Sequence, residues 1–322
     1  MHCRHCKRKL NTVFINLGKS PPSNSYLKKN ELDKKELYFP LNVLVCKNCW
    51  LVQTEDFTNA KDLFNNEYAY FSSYSTSWVI HAKKYCSSIV NRFNLNSNSL
   101  VIEVASNDGY LLQFFKEKNI SCLGIEPTKN TAAASRKKGI KTITEFFSSN
   151  LAIKLKEKNK LADLMVGNNV LAHVPDINDF LIGFSILLKT TGVATFEFPH
   201  LINLIQKNQF DTIYHEHFSY LSLTSINSIM KKNNLEIFDV NKLATHGGSL
   251  RVYVQKKLGG NKKITKRVSD LLESEDSLGI NSVKFYNGFF KKSTLIKNEF
   301  INFLNIQKKQ GKKVAAYGAA AK

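Results

Sequence analysis

Short apolar runs and amphipathic stretches alternate regularly through the middle of this chain. Runs at 100–105, 121–126, 141–144, 161–167 and 192–198 carry the β-branched and aliphatic density of buried strands. Between them, 110–118, the alanine-rich stretch around Ala132 to Ala134, and 180–188 keep the spacing of helices that cover a sheet. Strand and helix in strict alternation predict an α/β fold with a Rossmann-like parallel sheet covered on both faces. Before this region, 11–15 and 41–45 read as isolated short strands. After it, 250–255 reads as a strand, and 264–310 as mostly helical with a cluster of acids (Asp270, Glu273, Glu275, Asp276). Residues 312–318 read as a strand and turn, and 319–322 as the first turn of a helix. No internal repeat is present.

A chain of 322 residues has room for two domains and a substantial core. Its net charge of +20 changes the picture less than its size suggests. Only six of the 46 basic residues are arginine, the better fork for phosphates and bases, and the lysines are spread along the sequence. Charge therefore gives an expectation of no nucleic-acid partner, and a small anionic substrate fits it equally well. No apolar run approaches the roughly 18 residues of a membrane span, and no leader stands before Cys3, so the expectation is a soluble, cytoplasmic protein.

The six cysteines are not a disulfide framework in such a chain. Cys3/Cys6 and Cys46/Cys49 form two Cys-x2-Cys turns, each delivered by one of the early strands. Two such turns can close a tetrahedral site of four thiolates, which suits zinc and leaves no open position, so the ion is expected to be structural. His2 and His5 are competing ligands. Cys86 and Cys122 read as small buried hydrophobes.

Ligands of a parallel sheet bind beyond the carboxyl ends of its strands. There the sequence offers Glu103, Ala105, Ser106, Asn107, Asp108 and Gly109 after the first core strand, Glu126 after the second, and Asn168 with Asn169 after the fourth. A carboxylate at Glu126 can accept both hydroxyls of a ribose, and Gly109 lets the backbone turn closely. A dinucleotide would call for Gly-x-Gly-x-x-Gly, which is absent. The glycine-poor loop fits S-adenosylmethionine better, because no pyrophosphate needs cradling.

Tyr214-His215-Glu216-His217 is the densest cluster of proton-handling groups. An extended segment would put Tyr214 and Glu216 on one face, whereas a helical turn would make Tyr214 and His217 neighbours. Either way a phenol and an imidazole can meet one substrate, the imidazole as base and the phenol as donor to an oxyanion. A second metal site or a hydrogen-bonded core cluster are the alternatives. His173 lies on the ligand side, as a catalyst or a loop histidine; the aromatic stretch Tyr68-Ala69-Tyr70-Phe71-Ser72-Ser73 could fold over the cleft or pack between domains; and the two glycines and Arg251 of 246–251 suit an approach to phosphate or a tight turn.

With these residues in hand, the chain resembles the zinc-containing sugar C-methyltransferases of deoxysugar pathways. The likeness rests on both Cys-x2-Cys pairs, Glu-Tyr-Ala-Tyr-Phe-Ser-Ser, Glu-Val-Ala-Ser-Asn-Asp-Gly, Gly-Ile-Glu-Pro, Asn-Asn-Val-Leu-Ala-His-Val-Pro-Asp, Tyr-His-Glu-His and His-Gly-Gly-Ser-Leu-Arg. It implies a nucleotide-linked 4-keto-6-deoxy sugar as substrate, His217 as the base removing the proton alpha to the ketone, Tyr214 steadying the enolate and Glu216 orienting the site. Tyr70 and His173 match positions lining the family's active site. Ala105 stands where the family loop has its first glycine. Family members also continue past a point like residue 318 into a complete C-terminal α/β domain, so a fragment or a form lacking that domain is expected. The organisation expected is a zinc domain at 1–64, a donor-binding domain with an aromatic lid at 65–257, and the start of a C-terminal α/β part at 258–322. An RNA methyltransferase and a non-catalytic fragment are the rival functions.

Overall fold

A computed structural model of the chain describes residues 1–23, 27–57 and 69–316. The expected boundary at Phe64, Tyr68 of the aromatic segment and the helical turn at 319–322 lie outside them. Three strands, β1 (Thr12–Ser20), β2 (Phe39–Val45) and β3 (Val52–Thr54), pair antiparallel at the N-terminus. Their alternating apolar positions bury Phe14, Val43, Val45 and Val52 on one face. Cys46 follows β2 directly, and the turn to Cys49 returns the chain toward β3.

Helix α1 (Thr76–Phe93) begins where the Ser75 hydroxyl accepts from the Trp78 N–H, and ends at Asn94 in the left-handed region. Then the expected alternation follows: β4 (Leu100–Val104), α2 (Leu112–Glu117), β5 (Ser121–Ile125), α3 (Lys129–Lys137), β6 (Lys141–Ile143), α4 (Ser149–Glu157), β7 (Ala162–Asn168), α5 (Ile177–Leu187) and β8 (Leu188–Pro199). Past these come α6 (Leu201–Gln206), β9 (Ser219–Tyr220), α7 (Leu223–Lys232), β10 (Leu235–Leu243) and β11 (Ser249–Lys256).

The large sheet runs β10-β11-β8-β7-β4-β5-β6, parallel except that β11 opposes both its neighbours. Its central strands are apolar on both sides because helices cover both. Leu164, Met165 and Val166 of β7 have no exposed surface, and each such side chain contributes about 1.5–3 kcal/mol of burial. The chain leaves β4 toward β5 on one side and later enters β7 on the other. The loops after β4 and β7 therefore diverge, opening a crevice at their carboxyl ends.

The last described region is helical, as expected: α8 (Lys266–Ser277), α9 (Val283–Tyr286) and α10 (Phe289–Lys309). Glu275 of α8 is buried and accepts from the N–H groups of Leu223 and Thr224, capping α7, and from His200 at 2.7 Å. Phe289 stacks on Phe14 at 4.8 Å, so α10 starts against β1. Residues 312–316 form no strand, contrary to the sequence expectation, and Tyr317 and Gly318 lie outside the described residues. Val314 is exposed, and a strand without a partner ladder leaves its peptide groups to water.

Candidate active site

The crevice beyond β4 and β7 is a cleft of about 440 Å³. One side is built by the loop after β4. Ala105, Asn107 and Gly109 all have left-handed backbones, with φ of 58°, 49° and 76°. At Gly109 a Cβ would meet the Ile140 side chain at 2.5 Å and the Ser135 hydroxyl at 2.8 Å, on a left-handed backbone that glycine adopts without strain. Ala105 adopts the same region at a cost of about 1–2 kcal/mol that a glycine would not incur. This tight turn aims the Asn107 N–H at the Glu126 carboxylate, 2.9 Å away, while the Thr128 N–H bonds the other oxygen at 2.9 Å. Burial still pushes the Glu126 carboxyl above its ordinary value, against those hydrogen bonds.

Ala105, Asn107, Glu126 and Asn168 line the cleft. Glu103, Ser106, Asp108 and Gly109 lie behind that surface. Asp108 accepts from the Ser73 hydroxyl and pairs with Lys138 at 3.4 Å. Glu103 is fully buried, which pushes its carboxyl well above the usual range. The amide oxygens of Asn168 and Asn169 are buried in the cleft wall with no hydrogen-bond partner among the described residues. A carboxylate and two unmet amide oxygens form an acceptor-rich set. It suits the hydroxyls, amino group and ammonium of S-adenosylmethionine.

Across the cleft stand Tyr70, His173, Tyr214 and His217. The backbone takes the turned form at 214–217, where the His217 N–H bonds the Tyr214 carbonyl at 3.0 Å. This brings the Tyr214 hydroxyl to 2.9 Å from His217 Nε2. His217 Nδ1 lies 2.8 Å from the Thr212 carbonyl. A carbonyl can only accept, so Nδ1 carries the proton and neutral His217 presents Nε2 as the basic nitrogen. The His173 and His217 rings touch, with centroids 4.7 Å apart. The turn sends His215 and Glu216 away from the cleft: His215 Nε2 reaches the Pro40 carbonyl at 3.2 Å, and Glu216 accepts from Ser23 at 3.2 Å.

Arg251 does not reach toward a phosphate, contrary to the sequence expectation. Its guanidinium is buried and pairs with Glu197, which also bonds His81 Nε2 at 2.9 Å. A buried charge is held by its counter-charge, and this one is consumed inside the protein. The group supports the cleft indirectly, because His81 stacks on Trp78 at 4.9 Å and Trp78 is a cleft wall. Sequence reasoning missed Trp78, Phe146, Phe147, Thr128 and Thr212. Thr128, two residues past Glu126, was the most legible of these, since a hydroxyl there could bond the same carboxylate.

The Sγ atoms of Cys3, Cys6, Cys46 and Cys49 all lie within 4.8 Å of one another, with Cys3–Cys49 at 3.6 Å and Cys6–Cys46 at 3.5 Å. Zinc–sulfur bonds of about 2.3 Å in a tetrahedron require edges of about 3.8 Å, so the cluster fits the ion. Among the described residues neither His2 nor His5 joins the four thiols at this distance, and His5 Nδ1 bonds Asn178 at 2.8 Å. Cys86 is fully buried, and its thiol is pushed up to about 12 by that burial, which leaves it inert.

Residues 3–64 match a family described as a zinc binding domain, 78–240 a methyltransferase domain, and 244–322 the C-methyltransferase C-terminal domain. The chain is 32% identical over 320 residues to C-methyltransferase NovU of Streptomyces niveus, covering 99% of this chain and 76% of that protein. Among solved structures it is similar to the PH0226 protein of Pyrococcus horikoshii, with 13% identity, TM-score 0.48, 63% of this chain and 100% of that one covered. It is also similar to magnesium protoporphyrin IX methyltransferase of Synechocystis, with 14% identity, TM-score 0.43 and coverage of 55% and 83%. The described residues include no helix long and apolar enough to cross a membrane.

Proposed function

Because the chain belongs to the zinc-containing, S-adenosylmethionine-dependent C-methyltransferases, we propose that its acceptor is a nucleotide-linked 4-keto-6-deoxy sugar, methylated at the carbon alpha to the ketone, with His217 as general base. The observation that carries this reading is the Tyr214–His217 pair, facing the same cleft as Glu126 and Asn168. Bound S-adenosylmethionine supplies an electrophilic methyl group. The protein's own groups supply everything else.

Glu126 accepts the ribose hydroxyls, Asn168 takes a polar hydrogen of the donor, and Ala105 and Asn107 shape the turn around it. Glu103, Ser106, Asp108 and Gly109 hold that turn from behind. His217 Nε2 removes the alpha proton, and the electron pair moves onto the ketone oxygen. Before that transfer, as the ketone binds, the Tyr214 hydroxyl turns its hydrogen bond from Nε2 to the ketone oxygen, where charge develops, and this opens the Nε2 lone pair to the alpha proton. His173 and Tyr70 position the sugar face, and Glu216 acts from outside the cleft by fixing the turn at 214–217. The Thr212 carbonyl keeps Nδ1 protonated, so the nitrogen that faces the substrate is the basic one. Four thiolates without an open coordination position fit a structural role for the N-terminal zinc domain, proposed as residues 1–64. The donor domain is proposed as 65–257, followed by a C-terminal part at 258–322.

Transfer of labelled methyl from S-adenosylmethionine to a panel of thymidine- and guanosine-linked 4-keto-6-deoxy sugars tests the reading. Label is expected on sugar carbon. Label in RNA and none in any keto sugar would overturn it.

A further inference from the structure

The Asn107 side chain ties the aromatic segment around Tyr70 to the donor loop, beside the Ser73 hydroxyl on Asp108. Asn107 is buried, and its amide is engaged at both ends: Oδ1 accepts from the Ser72 N–H at 2.8 Å, and Nδ2 donates to the Tyr70 carbonyl at 3.1 Å. These bonds fall on either side of Phe71, so they fix the backbone that aims Tyr70 into the cleft. The backbone N–H of the same residue donates to Glu126 at 2.9 Å. One residue thus touches the carboxylate of the donor side and the peptide groups of the acceptor side. Glutamine's longer amide would overshoot this bridge, and the left-handed φ of 49° suits asparagine.

We infer that Asn107 is a positioning residue that couples occupancy of the donor cleft to the ordering of the Tyr70 segment, so that the donor binds first and builds the acceptor side. This rests on the donor-cleft assignment made above. A ligand that engages Glu126 also steadies its partner Asn107, and through the amide bridge it steadies residues 70–72. Without a ligand, that segment is held to the loop by the bridge and by the Ser73 hydroxyl on Asp108. The contact involves no reacting atom, so Asn107 acts through Tyr70.

Asn107→Gly isolates the effect. Glycine keeps the left-handed backbone and the N–H to Glu126 and deletes only the amide bridge. Hydrogen exchange followed by mass spectrometry on the zinc-loaded chain, with and without S-adenosylhomocysteine, reads the coupling without any acceptor sugar. Calorimetry on the same samples reads donor-site affinity. In the parent protein, the ligand is expected to slow amide exchange at 70–75 by about tenfold or more, the factor for tightening two ordinary hydrogen bonds. In Asn107→Gly, S-adenosylhomocysteine should still bind, weaker by up to about tenfold because the coupling is reciprocal, while exchange at 70–75 changes less than about twofold on binding. Ser73→Ala, which leaves the amide bridge intact, should keep the parent's response. Parent protein that binds the ligand with no slowing at 70–75 would overturn the inference. So would Asn107→Gly that slows as the parent does, or Ser73→Ala that loses the response. A parent that binds no S-adenosylhomocysteine would instead sink the donor-cleft assignment, and the inference with it.

Discussion

Replacing His217 by alanine should separate catalysis from architecture more cleanly than any other single change. In the structure His217 Nδ1 bonds the Thr212 carbonyl at 2.8 Å, a contact of structural weight that the substitution deletes. An ordinary hydrogen bond contributes about 1 kcal/mol net, which for a chain of this size lowers Tm on the order of 2 °C. The same substitution removes the basic nitrogen held against Tyr214. A positioned general base contributes about 10²–10⁴ in rate, or roughly 2.7–5.4 kcal/mol on the barrier. The assay is deuterium wash-in at the carbon alpha to the ketone, in D2O with S-adenosylhomocysteine in place of the donor, followed by NMR. Exchange should fall by about two to four orders of magnitude in His217→Ala, while affinity for S-adenosylhomocysteine stays within roughly threefold. Tyr214→Phe keeps the base and loses the donor to the oxyanion, so exchange should fall less, by about 10²–10³. Wash-in that survives in His217→Ala at close to the parent rate would refute the base assignment. So would a loss of exchange accompanied by a collapse of Tm, since the defect would then be one of folding.

Cys49→Ser should cost bound zinc, measured by elemental analysis, and with it several kcal/mol of stability; full metal content at unchanged Tm would count against the four-thiolate site. Ala105→Gly should raise the urea midpoint, because relief of about 1–2 kcal/mol of left-handed strain exceeds the 0.5–1 kcal/mol entropy cost of glycine by up to about 1 kcal/mol; a lower midpoint would contradict the strain. Acid stability should depend on Asp239. Burial alone would raise its carboxyl, but hydrogen bonds from Arg267, Thr265 and Arg92 outweigh it and hold the value at about 2 against an ordinary 3.8. The folded value is depressed, so this stabilisation is complete above about pH 4 and lost as pH falls toward 2. Arg267→Ala should therefore shift acid unfolding to higher pH, by less than about 1 kcal/mol because that arginine is more than half exposed; an unmoved acid transition would disprove the link.

The central sheet was legible because its strands are buried on both faces, so apolar runs such as 161–167 announce themselves without help from tertiary context. The cysteine pairs were legible for a different reason, since ligand spacing is a covalent constraint. Elements stabilised chiefly by distant contacts were silent. Helix α1 carries lysines, serines and a histidine between its apolar positions, and what fixes it is Trp78, Tyr85 and Cys86 packing on the sheet. Arg251 misled because a basic residue after two glycines looks like a phosphate clamp, and only the fold brings Glu197 beneath it. Tyr214-His215-Glu216-His217 was ambiguous between an extended strand and a turn. The turn prevails here, and it sorts the four side chains, Tyr214 and His217 into the cleft and the other two out of it.

The strand β9 follows that turn immediately, and it pairs not with the large sheet but with β3, next to the cysteine cluster. Thr54 also holds the Phe218 and His217 carbonyls, at 3.2 Å and 3.1 Å. Arg4, lying between two of the thiols, donates to the carbonyl of Pro175 at 2.9 Å. The N-terminal sheet is consequently a jig for the turn that carries Tyr214 and His217 and not a detachable accessory. Grafting a homologous ribbon from another member of the family would be expected to disturb turnover even when the hybrid stays folded, unless the recipient's β9 travels with it.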